Sequence, residues 1–390
     1  MLIAPERVRI IAWCWVVVAV VCYAADLLRQ TTDGLTNGHG RPFGDDFMNY
    51  WSGAWLALHG RAAEVYDWHA FHVFQQSVTG PDIQLYHYSY PPVLLMLTAP
   101  LALVAYVPAL GLWLLSSWYA FYRALKLTAF DGALLLSVAA PAVFVNAAGG
   151  QNGAWVAALL GGGLLLLDRR PAVSGILFGL LLFKPHLGVM IPVALLAGRR
   201  WRAFGAAAAT VIALIVMSMA LYGWDLWLAY FRHVSVLRQA ILEDGSGVWH
   251  RMMSVFVLAR RLGFDVGWAY VVQIAAAIAA AGFVARSWLR DDTPEIRNAL
   301  MILGTCLATP YLQDYDFVVG AFVVVWLQIA GNRTGVTPRS IQIASAGILL
   351  LPLFNGSLSL MTGIAIGPFV IVPVFALVAM MARRSAVVSA

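Results

Sequence analysis

Ile10-Ile11-Ala12-Trp13-Cys14-Trp15-Val16-Val17-Val18-Ala19-Val20-Val21-Cys22-Tyr23, continuing to Leu28, decides the fold class. A helix of about 20 apolar residues reaches across the hydrocarbon of a bilayer. Arg7 and Arg9 stand just ahead of the run, which sets that end in the cytoplasm. No small-residue cleavage site follows, so the run reads as a retained first span and not a signal peptide. The rest of the chain repeats the theme. Of 390 residues, 61% are hydrophobic and 11% charged, and the mean hydropathy is +0.79. Soluble domains carry about 25% charged residues, so the composition predicts an all-α polytopic integral membrane protein. The pI of about 9.3 does not signal nucleic acid, because the basic residues come in twos and threes between apolar runs. Cys14, Cys22 and Cys306 all lie in such runs, without metal-type spacing.

Further spans are expected near 108–125, 131–147, 153–167, 172–184, 186–197, 203–222, 266–286, 298–310, 315–330, 340–354 and 363–381, about twelve with the first. Residues 92–106 follow Tyr90-Pro91-Pro92 and are short for a full crossing. Reading them as a re-entrant or surface-lying helix lets the remaining chain obey the positive-inside rule. Arg123, Lys126, Arg169, Arg170, Arg199, Arg200, Arg202, Arg286, Arg290, Arg297, Arg333, Arg339, Arg383 and Arg384 then join Arg7 and Arg9 on the cytoplasmic side. The whole chain, 1–390, reads as a single membrane domain. It has two large extracytoplasmic loops, 29–107 and 223–265, and both chain ends face the cytoplasm. In the second loop Trp224, Trp227, Tyr230 and Phe231 fall at helical spacing, which predicts an interfacial helix. There is no strong internal repeat of the kind many transporters carry.

With that topology the unusual polar residues gather on one side. They are Asp45 and Asp46, Gln151 and Asn152, Lys184 and His186, His250 and Arg251, and Gln313, Asp314 and Asp316. Lys184 stands out, because the chain has twenty-three arginines and two lysines and this one interrupts an apolar run. A charge at membrane depth is costly and points to function, while a lysine ammonium suits a phosphate oxygen. The alternative is a snorkelling lysine at a helix boundary marked by Pro185. The acidic pair opens a short helix that runs to a stop at Gly60. At 100° per residue, Asp46, Tyr50, Gly53 and Ala57 share one face, expected to look into a cavity. Phe47, Trp51, Trp55 and Leu58 share the other, expected to meet lipid or other spans. One of the two acids could simply be an N-cap, and Asp45 is the better fit for a capping or orienting role. Gln151 could be a turn residue, Asp314 and Asp316 a solvated loop, and His250-Arg251 an interfacial anchor.

Asp46-Phe47-Met48-Asn49-Tyr50, Gly60 with Tyr66-Asp67, Tyr90-Pro91-Pro92, Gly150-Gln151-Asn152, Lys184-Pro185 and Arg199-Arg200-Trp201 together resemble glycosyltransferase family 87. These are membrane mannosyltransferase-like proteins of the GT-C class. The resemblance covers about residues 40–320 and lies in the order and spacing of motifs that are individually weak. It implies a GT-C fold of short helices with a long first outer loop. It also implies a loop aspartate as catalytic base, placed on Asp46, and a polyprenyl-phosphate-linked sugar donor. Many relatives carry a histidine where this chain reads Gln313-Asp314-Tyr315-Asp316, so an assisting role passes to Gln313, an acid, His186 or His250.

The function expected is transfer of a hexose, mannose by the resemblance, to a lipid or glycan acceptor at the extracytoplasmic face of the inner (plasma) membrane. Asp46 and Asp45 are the expected catalytic pair. Lys184, His186, Arg251 and His250 would contact the donor phosphate. Tyr50, Tyr90, Gln151, Asn152, Gln313, Asp314 and Asp316 would contact substrate. No metal, cofactor or nucleic acid is expected. The alternatives are a transporter or flippase of a lipid-linked sugar, and a glycan ligase or polymerase. The first would favour charges crossing the whole membrane, the second a basic first loop.

Overall fold

The computed structural model describes residues 5–388, with side chains for 6–383. The chain ends and the Arg384 side chain, which the sequence reading sets on the cytoplasmic side, fall outside that description. The described residues form helices and no strands, only isolated bridges such as Met252 opposite Gln313. In order the helices are α1 (Pro5–Arg29), α2 (Phe47–Leu58), α3 (Trp68–Thr79), α4 (Pro92–Thr98), α5 (Tyr106–Lys126) and α6 (Ala133–Ala139). There follow α7 (Pro141–Ala148), α8 (Gly153–Leu166), α9 (Pro171–Leu180), α10 (Met190–Ala197), α11 (Trp201–Tyr222) and α12 (Trp224–Leu237). The last are α13 (Val255–Arg261), α14 (Val266–Leu289), α15 (Pro294–Ala308), α16 (Gly320–Thr334), α17 (Pro338–Thr362) and α18 (Gly367–Val388).

Among the described residues, five segments are long and apolar enough to cross a membrane: α1, α11, α14, Asp314–Thr334 and α17. Of the other expected spans, 108–125 is the 21-residue α5 and 363–381 falls largely in the 22-residue α18; the rest coincide with shorter helices, and proline accounts for two of the breaks. The 131–147 run divides at Ala140, which is extended (φ −65°, ψ 120°) ahead of Pro141. The 172–197 run divides at Lys184, where φ −139° and ψ 65° leave the helix ahead of Pro185. The residue before a proline is pushed out of the α region, so both breaks follow from local sterics. Residues 92–103 make α4 and one tight turn. That is about 20 Å of helix, at about 1.5 Å per α-helical and about 2 Å per 3-10 residue.

Helix α16 is the buried centre, with Phe322 fully enclosed. Helices α1, α11 and α14 lie outside and turn Ile10, Ile212 and Ile278 away from the protein. Small residues set the spacing. A Cβ on Gly161 of α8 would lie 2.3 Å from the Phe322 ring. Gly175 and Gly179 of α9, four residues apart, face α11 so closely that a Cβ on Gly175 would lie 2.3 Å from the Ala203 carbonyl oxygen. This is the close small-xxx-small contact by which helices associate where lipid supplies no hydrophobic drive.

Contacts between helix ends sort the charges into two groups. At one end Lys184 meets Asn152 and Asp316. At the other, Arg297 meets Asp168 and Asp291, Arg200 meets the same two acids, and Arg333 meets Glu295. Helix α8 connects the two groups, with Asn152 ahead of its first residue and Asp168 just past its last. Its 14 residues make about 21 Å of helix.

Candidate active site

The site is built from three turns and the helices they open. The first turn is Gly44-Asp45-Asp46, with positive φ at Gly44 (79°) and Asp45 (53°). The second is Gly149-Gly150-Gln151-Asn152-Gly153, with Gly150 at φ 58°. The third is Gln313–Asp316, whose own capping box starts a 3-10 turn leading into α16. Glycine is required where these turns meet. A Cβ on Gly150 would sit 2.1 Å from the Gly44 carbonyl oxygen, and one on Gly153 would sit 2.0 Å from the Tyr315 carbonyl oxygen. The Asp46 N–H donates to the Gly149 carbonyl at 3.2 Å, and the Trp113 indole N–H donates to the Gly150 and Gln151 carbonyls, both at 3.2 Å.

Neither acid caps α2. Asp46 occupies the N-cap position, yet its side chain makes no capping bond; its Oδ2 accepts instead from the Gln151 side-chain amide. The orientation of that amide is set from behind. Tyr50 donates to Gln151 Oε1 at 2.9 Å, and the Tyr50 and Tyr90 hydroxyls lie 2.8 Å apart. With Tyr50 donating forward, Tyr90 donates to Tyr50, and the chain of bonds ends on the carboxylate. Asp45 is held differently, accepting from Arg41 Nε at 3.0 Å and from the Tyr86 hydroxyl at 2.8 Å. The cap in this loop belongs to Asp67, which accepts from the His69 and Ala70 N–H groups at the start of α3.

The expected cavity face of α2 is filled. Tyr50 is fully buried, and a Cβ on Gly53 would meet the Tyr88 ring at 2.8 Å. The loop returns Tyr88 and Tyr90 onto that face, a long-range contact that helical spacing does not encode. The aromatic face packs on protein. Trp51 donates to the Val104 carbonyl at 3.0 Å and stands edge-on to Tyr106, and Trp55 stacks on Phe74.

Cations flank the carboxylates. Lys184 is buried, and its ammonium donates to Asp316 Oδ1 and, at 3.0 Å, to Asn152 Oδ1. Arg251 donates through Nε and Nη2 to Asp314, with a shortest contact of 3.1 Å, and stays a quarter exposed. Tyr315 lies between the two cations, with the Lys184 ammonium 4.6 Å and the Arg251 guanidinium 5.4 Å from its ring centre. Such placements over an aromatic face are attractive. Asp314 and Asp316 are buried, so they are ion-pair partners and not a solvated loop. Asp46 keeps partial exposure. Burial does most to raise its pKa and Asp45 raises it further; Arg251, Gln151 and Lys184 oppose, and the result is about 7. A carboxyl poised there can exchange a proton near neutrality.

Most of the residues singled out from sequence thus meet: Asp45, Asp46, Tyr50, Tyr90, Gln151, Asn152, Lys184, Arg251, Asp314 and Asp316. Gln313 belongs to the scaffold, where its N–H donates to Asp316 Oδ2 at 3.2 Å. The two histidine rings adjoin the cluster without a hydrogen bond to its carboxylates or cations among the described residues. The His186 ring packs near Tyr311, centroids 5.9 Å apart, and His250 is anchored by its backbone carbonyl, which accepts from Asn355 at 3.0 Å. Sequence reading missed Tyr315, Arg41, Tyr86 and Trp113. The i,i+4 spacing of Arg41 and Asp45 could have shown one of these links.

The model of glycosyltransferase family 87 matches residues 88–310. No curated protein and no solved structure matches the chain. The matched stretch holds Tyr90, Gln151, Asn152, Lys184 and Arg251; Asp46 lies ahead of it and is joined to it by the bond to Gln151. The match covers more than half of an all-helical chain with several membrane-length apolar helices, and the chain belongs to glycosyltransferase family 87: it is a membrane glycosyltransferase.

Proposed function

We propose that the chain transfers a hexose, mannose by family likeness, from a polyprenyl-phosphate donor to a lipid or glycan acceptor. The reaction runs with inversion, and Asp46 is its general base. In that step Asp46 takes the acceptor hydroxyl proton as the oxygen attacks the anomeric carbon. The bond from that carbon to the phosphate oxygen breaks, and the lipid phosphate leaves with its electron pair. Arg251, partly exposed, would meet the growing negative charge first, with Lys184 adding to the field from its buried pair. The observation that carries this reading is the partly exposed Asp46 carboxyl, raised to about 7 and surrounded by two cations and an oriented amide. The remaining parts of the proposal follow the charge distribution: about twelve membrane segments in a single GT-C domain, the site on the extracytoplasmic side of the plasma membrane, and Asp168, Arg200 and Arg297 toward the cytoplasm. An apolar cavity of about 240 Å³ between α9, α10 and α11 reaches Pro185, next to Lys184, and suits an isoprenoid tail.

A flippase would want polar groups along its path. Among the described residues, Phe317 to Leu327 at the buried centre are all apolar or glycine, which favours the transferase. The test is transfer from labelled polyprenyl-phosphate-mannose into membrane products. Asp46→Asn is expected to abolish it, and full activity in that variant would sink the assignment. Because the base must be ionised, the wild-type rate should rise with pH through about 7 and level off above. Asp45→Asn removes a repulsive neighbour and should move that limb to lower pH.

A further inference from the structure

We propose a second binding site, for the headgroup of an anionic phospholipid, in the cleft between α14 and α18 at the end of the molecule remote from Asp46. Arg286, Arg290 and Arg383 converge there on one small cleft floored by Phe283 and Ala379. The one carboxylate in the cleft is Asp292, which accepts from the Ser287 hydroxyl at 2.7 Å. The neighbouring arginines are neutralised: Arg200 and Arg297 by Asp168 and Asp291, Arg333 by Glu295. Among the described residues none of the three cleft arginines makes a close salt bridge; Asp292 interacts with Arg290 and Arg286 at longer range, which leaves one acid against three cations. Guanidinium groups bind phosphate through paired N–H bonds, and basic pockets between membrane helices hold anionic headgroups.

The apolar surface beside the cleft argues for a lipid over a soluble anion. Phe283 at its floor is more than a third exposed, and Ile274 and Ile278 on α14 and Met380 on α18 turn outward. Acyl chains can lie on that surface while the phosphate sits among the arginines. The cleft encloses only about 20 Å³, too little for a nucleotide but enough to seat the edge of a phosphate. The cleft belongs with the charges around Asp168 and Asp291 at one end of α8, and the carboxylates lie at the Asn152 end, so the two sites share no residue.

The experiment is thermal unfolding of the full chain in neutral detergent with phosphatidylglycerol, phosphatidylcholine or inorganic phosphate added. Phosphatidylglycerol alone should raise the midpoint by a few degrees. The combined variant Arg286→Gln, Arg290→Gln, Arg383→Gln should lose that shift while keeping its lipid-free midpoint. The pair Arg199→Gln, Arg339→Gln, basic residues outside the cleft, should retain it. A shift that survives in the triple variant, an equal shift from inorganic phosphate, or an equal loss in the control pair would each overturn the proposal. If the triple variant does not fold, native mass spectrometry of the three single variants decides. Fewer anionic lipid adducts than wild type are expected in each, and undiminished adducts in all three would overturn the site.

Discussion

Lys184 shows how much a single residue's meaning depends on its partners. In sequence it is an isolated charge in an apolar run; in the structure its ammonium is already engaged by Asp316 and Asn152, and the side chain is 4% exposed. Breaking a buried pair leaves an uncompensated charge and costs about 3–5 kcal/mol. Lys184→Ala should therefore lower unfolding stability in detergent by that order, and adding Asp316→Asn should restore part of the loss. An intact fold in Lys184→Ala, with only donor use affected, would mean that the pair opens in solution. The list of unusual polar residues was legible because charges are scarce in this chain. Their pairings were not, because Gln151 lies 105 residues from Asp46 and Asp316 lies 132 from Lys184. Local spacing carries no signal over such distances.

At the scale of elements, the sequence showed where helices start and stop. Apolar runs, prolines and Gly60 located α1, α2, α5 and α11 closely, and α12 begins at the predicted aromatic cluster. What stayed hidden was why a five-residue turn holds three glycines. Gly150 and Gly153 allow the turns carrying Asp46 and Tyr315 to approach backbone to backbone. Gly153→Ala would force a Cβ against a carbonyl oxygen, a strain of about 1–3 kcal/mol, and would part Asn152 from Lys184. Transfer per folded molecule should fall sharply. Gly205→Ala on α11, with nothing within 4 Å of the added carbon, should instead gain helix stability of up to about 1 kcal/mol and leave transfer unchanged. Equal activity in the two variants would count against the close-contact account.

Across the whole molecule, charge sits at two ends of an apolar centre, and at the end remote from the site the pairs are asymmetric. Arg297 is 3% exposed, whereas its partners Asp168 and Asp291 are 46% and 71% exposed. Removing both acids strands a buried guanidinium; removing the arginine leaves acids that water can solvate. The double variant Asp168→Ala, Asp291→Ala should thus unfold at a lower temperature than Arg297→Met. The opposite order would show that the acids are not what holds the arginine in place. The turn at 149–153 has a consequence for length changes in the chain. Among the described residues, the loop bearing Asp46 and the turn bearing Asp314 and Asp316 share no hydrogen bond; each is registered against this one pentapeptide. It works as a surveyor's benchmark, from which two independent positions are measured. A residue inserted into the outer part of either loop would leave Asp46 and Asp316 in place relative to Lys184, whereas one inserted between Gly149 and Gly153 would misplace the two at once.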